Sequence, residues 1–357
     1  MPETIAIHKF LELRKTLPVL DARSEGEYTH AHIPGAINLP LLNNQEREKV
    51  GTCYKQKGRE EAVLLGFDLV GHKFGDYIRK AKAIANIEQG ISNVEQSQMI
   101  IYCWRGGMRS NIMAWLIEKA GMKVYVLEGG YKTYRHWALN EFEEPLKLLV
   151  LGGKTGSGKT EVLYEMKNSG EQVIDLEGLA HHRGSAFGAL GQPAQTTSEQ
   201  FENNLALELL QIDRKKTLWL ENESSKIGGV KIPDGIYNQM RATTVVEIEV
   251  PLEKRIENIA RVYAGFPKEK LAEATKRIEK KLGNKNMNDG LNYLNENDFN
   301  SWIKILLDYY DKAYTFSKSQ REPGTILNVP ITSENHSEIA AAVIDFAKQK
   351  IKTKSSC

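Results

Sequence analysis

The chain has 357 residues, 41% hydrophobic and 26% charged, with a formal net charge of +2. That composition suits an ordinary globular protein of about two domains, and any basic surface must be local, so a nucleic-acid partner is neither demanded nor excluded. Its three cysteines, Cys53, Cys103 and Cys357, are too far apart for a disulfide framework; residues 1–20 are broken by charges, and no apolar run reaches the ~20 residues that span a bilayer, so a reduced, cytoplasmic protein away from membranes is expected.

In chain order, a polar helix-like lead is followed by residues 18–24 (PVLDARS), which read as a short buried strand ending in polar residues. Residues 25–30 suit a helical turn, and HIPGAINLP (32–40) a turn and a second strand. Residues 60–85 predict helices broken near Gly71. The β-branched run 98–103 (QMIIYC) predicts a buried parallel strand stopping at Trp104, and 110–120 a helix ended by Gly121. A strand at 123–127, then Gly129-Gly130 and a helix from Tyr131, complete an α/β pattern with a mostly parallel sheet.

The chemistry of this half centres on Cys103. A cysteine at a strand's carboxyl end, before a loop with Gly106 and Gly107 that opens a helix, is placed as a thiolate in an anion nest. Loop N–H groups, Arg105 and Arg109 favour the charged form and could hold an oxyanion beside the sulfur. Cys53 reads as structural and Cys357 as incidental. Asp21-x-Arg23-Ser24, His32-Ile-Pro-Gly-Ala-x-Asn38, the Cys103 loop and Leu127-x-Gly129-Gly130 resemble a rhodanese domain over most of residues 5–140. In that family the loop cysteine carries a transferable sulfur as a persulfide. The spacing from Cys103 to Arg109 also matches cysteine-dependent phosphatases, although Tyr102 replaces their usual histidine, so phosphate-ester hydrolysis stays open.

A charged link with Pro145 precedes LLVLGGKTGSGKTEV (148–162). Gly153, Lys154, Thr155, Gly156, Ser157, Gly158, Lys159 and Thr160 form G-x-x-x-x-G-K-T, a phosphate-binding loop. Glycines let its amides curl around phosphate oxygens, the next helix presents its positive end, Lys159 adds a charge and Thr160 could ligate magnesium. A strand at 172–177 would end in Asp175 and Glu177, and one at 218–223 in Glu221 and Glu223; these are candidate acids acting through water on magnesium. The polar loop 178–195 holds His181, His182 and Arg183. Thr197 suits a helix cap, with Phe201, Leu205, Leu209 and Ile212 as core. A strand at 244–250 precedes a helix with Arg255 and Arg261, which P-loop kinases would turn toward phosphate. Residues 268–282 are amphipathic, with Lys276, Arg277, Lys280 and Lys281 outward: a solvated face, or an RNA-backbone contact. The stripe Phe299, Trp302, Ile303, Leu306, Tyr309, Tyr310 and Ala313 reads as core. A last strand at 325–329 and a helix at 338–348 close the chain.

The fold class is therefore α/β throughout: a rhodanese-like domain over 1–140, then a P-loop domain over 146–350 with a helical part around 252–320. Val50-Gly-Thr-x-Tyr-Lys-x-x-Gly58, Cys103-Trp-Arg-Gly-Gly-Met-Arg-Ser110, Asp175-Leu-Glu-Gly-Leu-Ala-His-His-Arg-Gly184 and Trp219-Leu-Glu-Asn-Glu-Ser224 extend the likeness to nearly the whole chain. It resembles the tRNA 2-selenouridine synthase family. That resemblance implies a transferase that replaces sulfur by selenium in the wobble 2-thiouridine of Lys, Glu and Gln tRNAs. Selenophosphate and geranyl diphosphate would be co-substrates, magnesium a candidate ion, and selenophosphate synthetase a candidate partner, with no tightly bound cofactor. Cys103 would attack selenophosphate held by Trp104, Arg105, Gly106, Gly107, Met108 and Arg109, release phosphate and carry the selenium. The phosphate loop would bind the geranyl diphosphate. An ATP-dependent RNA thiolation enzyme or kinase, and a cysteine-dependent phosphatase-like protein, are the alternatives.

Overall fold

The computed structural model describes residues 2–89, 97–331 and 333–354; Cys357 lies outside them. Two compact units result, Met1–Glu141 with Glu202–Leu207, and Phe142–Phe201 with Glu208–Cys357.

The first unit contains β1 (Glu3–Ile5), α1 (Ile7–Leu13), β2 (Val19–Asp21), α2 (Glu25–His30), β3 (Ile37–Asn38), α3 (Asn44–Lys57), α4 (Arg59–Val70), α5 (Phe74–Gln89), β4 (Gln98–Tyr102), α6 (Met108–Lys119), β5 (Lys123–Leu127) and α7 (Gly130–Glu141). Its five strands are parallel in the order β1-β5-β4-β2-β3. Parallel strands covered on both faces need apolar side chains on both, which the run Met99–Tyr102 supplies. Met99, Ile101, Val124 and Val126 pack in one core with Met113, Ala114 and Ile117 of α6 and Tyr77 and Ala81 of α5. The helix break expected near Gly71 is a 3-10 turn at Gly71–Lys73. The polar lead differs from expectation: Glu3–Ile5 adds an edge strand to β5 before α1 begins. So short an edge strand takes its place from pairing, a signal that local periodicity does not carry.

From Phe142 on, the chain contains β6 (Leu148–Gly152), α8 (Lys159–Asn168), β7 (Gln172–Val173), α9 (Leu176–Ala180), α10 (Ser198–Leu210, of which Glu202–Leu207 count with the first unit), β8 (Leu218–Glu221), β9 (Lys226–Ile227), β10 (Val230–Lys231), α11 (Asp234–Ala242), β11 (Val245–Ile248), α12 (Leu252–Tyr263), α13 (Lys268–Arg277), α14 (Glu279–Leu282), α15 (Asn284–Asn295), α16 (Phe299–Ser319), β12 (Ile326–Val329) and α17 (His336–Lys354). The second unit's parallel sheet runs β12-β11-β6-β8-β7, and β9 and β10 form a separate antiparallel ribbon. Later strands lie on opposite sides of β6, so β6 marks the switch point where open α/β sheets bind ligands. The sheet packs with α8 and α17 through residues such as Val162, Met166, Val246 and Val343. A second core joins α12 to α16 around Trp302, Leu271 and Phe187.

The strand expected over 172–177 is shorter. It ends at Val173, and Asp175 caps α9, its side chain accepting from the N–H of Gly178 at 2.8 Å. A carboxylate at the start of a helix satisfies an otherwise unpaired N–H group, which ends the strand there. Thr197 likewise caps α10, accepting from the N–H of Gln200 at 3.0 Å.

Candidate active sites

In the first unit, β4 delivers Cys103 to the carboxyl edge of the sheet between β5 and β2. Cys103 is buried. Its Sγ accepts the N–H of Gly107 at 3.3 Å and lies 3.2 Å from Ser110 Oγ. The loop can curl this tightly only with glycine. Gly106 has φ +61°, and a Cβ there would sit 2.7 Å from Leu127 O; Gly130 has φ +60°, and its Cβ would fall 2.2 Å from Cys103 O. The N–H groups of Tyr131 and Lys132, entering α7, bond the carbonyls of Cys103 and Trp104 at 2.8 and 3.1 Å. The Gly-Gly pair after β5 is thus the other wall of the cysteine loop.

The buried Asp21, Arg23 and Tyr102 brace this wall. Tyr102 Oη donates to Asp21 at 2.7 Å, and Arg23 bonds both Asp21 oxygens and lies 3.9 Å from the Tyr131 ring centre. Burial alone would lower the Arg23 pKa, but bonding to Asp21 and its charge raise it well above the usual value. Burial first, then Asp21, pushes Tyr102 far above its ordinary range, so it stays a protonated hydrogen-bond donor.

The two loop arginines differ. Arg105 is exposed. Arg109 pairs bidentately with Glu27 at 2.7 and 3.3 Å, so its charge is largely met by a carboxylate. Burial would raise the Glu27 carboxyl, but Arg109 holds it below the usual range. Trp104 and Met108 are 40% and 44% exposed, and the Trp104 ring rests against Tyr131 with centroids 5.6 Å apart. Ser110, absent from the candidate residues, is the neighbour that sequence reasoning missed. Its signal was available, a hydroxyl one residue beyond Arg109 in the first turn of α6.

In the second unit, β6 ends at Gly152 and the phosphate loop runs to Gly158, which takes φ +77° and starts α8. The back of the loop is held from α12. Arg255, 3% exposed, donates to Thr155 O at 2.8 Å and to both oxygens of Asp311 at 2.9 and 2.5 Å, and Asn258 donates to Gly156 O at 3.0 Å. Arg255 therefore anchors the loop's carbonyls and does not present itself to phosphate. Lys154 also meets Asp311, at 3.4 Å. Gly153 donates its N–H to Tyr314 Oη at 2.8 Å.

Lys159 lies 3.4 Å from Glu221, and Thr160 Oγ1 donates to the same carboxylate at 3.1 Å. Burial would lower the Lys159 pKa; Glu221 above all, then Tyr314 and Glu223, keep it raised. Glu177, Glu221 and Glu223 bring carboxylate oxygens within 4.8 Å of one another. Burial first, then the Glu221 charge, pushes both Glu177 and Glu223 up. Such a set of hard oxygen donors beside a phosphate loop fits a magnesium-type cation, whose charge would relieve the crowding of carboxylates. Asp175, the fourth candidate acid, instead caps α9 and accepts from Tyr164 Oη at 2.6 Å.

These groups line one end of a cavity of about 720 Å³. Its walls also carry Arg183 and Arg261 and the half-buried Ile259, Val262, Tyr263, Tyr309 and Tyr310, backed by the buried Phe187, Trp302, Ile303 and Leu306. The α16 stripe read as core is therefore core on one side and cavity wall on the other. His336 at the start of α17 also lines the cavity and would be 2.8 Å from a Cβ on Gly158, a neighbour no local motif announced. His181 takes φ +51° at the end of α9 and bonds Ala194 O at 3.0 Å; neither it nor His182 is among the lining residues. Burial lowers the His182 pKa. Lys276, Arg277, Lys280 and Lys281 are exposed on α13 and α14, away from the cavity lining, and Arg277 pairs with Glu273 at 2.7 Å.

A buried cysteine in a glycine-walled loop and a phosphate loop opening on a cavity define a protein with a rhodanese-like unit and a P-loop unit, each with its own candidate site. Residues 7–136 match the rhodanese-like domain and residues 146–350 the tRNA 2-selenouridine synthase AAA domain. The chain belongs to the tRNA 2-selenouridine synthase family. It is 36% identical to the tRNA 2-selenouridine synthase of Shewanella frigidimarina, over 88% of this chain and 92% of that one. Against the proteins of that name from Sulfurovum sp. and Nitrosomonas europaea the identities are 37% and 33%, over 84% and 85% of this chain and 88% and 90% of theirs. Among the described residues no helix is long and apolar enough to cross a membrane.

Proposed function

We propose that this protein is a transferase that converts wobble 2-thiouridine of Lys, Glu and Gln tRNAs into 2-selenouridine. Geranyl diphosphate would first alkylate the sulfur, and selenophosphate would then supply selenium. The relatives' name supports selenouridine synthesis. The observation that carries the two-step reading is the double character of the 720 Å³ cavity, lined by phosphate-loop residues and Lys159 and also by the half-buried Ile259, Val262, Tyr263, Tyr309 and Tyr310. A diphosphate joined to an isoprenoid chain uses both parts, burying its apolar tail while its oxygens take the loop's donors.

In the first step the thiouridine sulfur attacks the first carbon of the geranyl group, and the carbon–oxygen bond to diphosphate breaks. Lys159 and the loop N–H groups stabilise the charge that builds on the leaving diphosphate. Glu177, Glu221, Glu223 and Thr160 would hold a magnesium ion there, which supplies further charge neutralisation. In the second step selenium bonds to carbon 2 of the ring and the geranylthiolate departs, a better leaving group than the original thiocarbonyl sulfur.

The test is nucleoside mass spectrometry. The protein is incubated without air with 2-thiolated tRNA, geranyl diphosphate and selenophosphate, each omitted in turn. A geranylated thiouridine without selenophosphate, and a selenouridine with the full mixture, are expected. No mass change in any mixture sinks the reading, and RNA-stimulated ATP turnover would then favour the thiolation alternative.

A further inference from the structure

We infer that Cys103 attacks the phosphorus of its donor and not the selenium, so that the first unit has a phosphatase-type activity toward phosphoryl–selenium bonds. The inference rests on the reading that selenophosphate is the donor. Electron counting comes first. Selenium in selenophosphate is already at the selenide level. A thiolate attacking selenium would leave the bonding pair on phosphorus and expel phosphite; releasing phosphate by that route needs an oxidant. Attack at phosphorus needs none. The sulfur–phosphorus bond forms, the phosphorus–selenium bond breaks, and its electron pair leaves on selenium as hydroselenide. Water then cleaves the sulfur–phosphorus bond, giving phosphate and restoring the thiolate. The hydroselenide attacks carbon 2 of the alkylated ring, and the alkylthiolate leaves with the carbon–sulfur pair.

The length of the loop suits a phosphoryl group, for which Arg109 would have to exchange its pairing with Glu27. Five residues separate Cys103 from Arg109, and they wrap the sulfur closely enough for the N–H of Gly107 to reach Sγ at 3.3 Å. A transferring phosphoryl group spreads charge over three oxygens and needs donors on several sides. A lone selenium atom on sulfur does not. The start of the twelve-residue helix α6 faces the same loop and adds its positive end. Ser110 Oγ donates to Gly107 O at 3.0 Å and lies 3.2 Å from Sγ, so a small rotation of its one O–H toward the sulfur would let it hold the thiolate as attacker and as leaving group when the sulfur–phosphorus bond is cleaved. Tyr102, a protonated brace to Asp21, stands where cysteine-dependent phosphatases usually have histidine, so Ser110 and Gly107 are the groups that touch the sulfur.

The experiment uses the full-length protein under anaerobic conditions with selenophosphate alone, quenched at short times and read by mass spectrometry of the Cys103 peptide. An adduct without the selenium isotope envelope, labelled from ³²P-selenophosphate and resistant to thiol reductants, is expected. A burst of hydroselenide, stoichiometric with enzyme and ahead of phosphate, should accompany it. A Cys103 adduct with the selenium envelope that reductant removes would overturn the inference, as would selenide release that persists in Cys103→Ala. A parallel reaction with 4-nitrophenyl phosphate separates the two readings. Phosphorylated Cys103 there, with selenophosphate left intact, would retain phosphorus chemistry and reject the selenium donor. Failure with both compounds rejects both. Ser110→Ala should slow phosphate release more than the selenide burst, and Ser110→Thr should restore it; a merely structural role would lower both together.

Discussion

Glu177 and Glu223 lie beside Glu221 under one lysine, Lys159, and this crowding gives the site a pH signature. A carboxyl whose folded pKa is raised above its unfolded value binds its proton more tightly in the folded state. Its contribution to stability is full below the unfolded value and is lost as pH rises toward the folded one. Removing the charge should therefore help most on the alkaline side. Glu177→Gln is expected to match the wild type in Tm near about pH 4.5 and to exceed it by about 2–4 °C near about pH 8, measured by calorimetry in chelator. With magnesium and diphosphate added, the order should reverse, because glutamine is a poorer ligand for the cation. An alkaline-side loss in chelator would show that Glu177 is stabilised as a carboxylate in a way the neighbouring acids do not suggest.

At the scale of elements, α12 and α16 meet through Arg255 and Asp311 behind the phosphate loop. Arg255→Ala removes one member of a pair whose other member is partly exposed and still near Lys154, so the cost should be about 2 kcal/mol, below that of a fully buried pair. The larger effect should fall on the loop. Without the bond to Thr155 O, pyrophosphate affinity should drop about tenfold by titration calorimetry. Arg255→Lys should not restore it, since one ammonium cannot reproduce the fork across Thr155 and both Asp311 oxygens. Unchanged affinity would reduce Arg255 to a packing residue. This clamp also marks where sequence reading runs out. The phosphate loop and the Cys103 loop were legible because their donors are contiguous, and glycines punctuate them. Arg255 was legible as a cation near the loop, but not its partner 56 residues on; nor was Tyr314, 161 residues from the Gly153 amide it receives. The α16 stripe announced burial correctly at Trp302, Ile303 and Leu306 but not at Ala313, which is exposed, because periodicity reports which face avoids water and not whether that face meets side chains or an open cavity. β7 was overextended because Asp175 looks like a strand end while its side chain is starting α9.

For the whole molecule, the two sites have different chemistry and need not fail together. In the proposed scheme Cys103 would serve the selenium donor and Lys159 the diphosphate. Geranylation consumes no selenium, so Cys103→Ala should retain formation of the geranylated nucleoside at near wild-type rate while selenouridine disappears. Lys159→Ala removes the charge that this scheme sets against the departing diphosphate and should slow geranylation about a hundredfold or more, the scale on which electrostatic stabilisers act. Supplying that variant with tRNA already S-geranylated should bypass the defect and restore selenouridine. The bypass is the decisive arm, because a globally damaged protein would not respond to it. Loss of both products in folded Cys103→Ala would mean that the cysteine takes part before selenium enters, and the division of labour would fall. If Lys159→Ala geranylates normally, the phosphate loop has another ligand, and the apolar wall of its cavity must be explained without an isoprenoid.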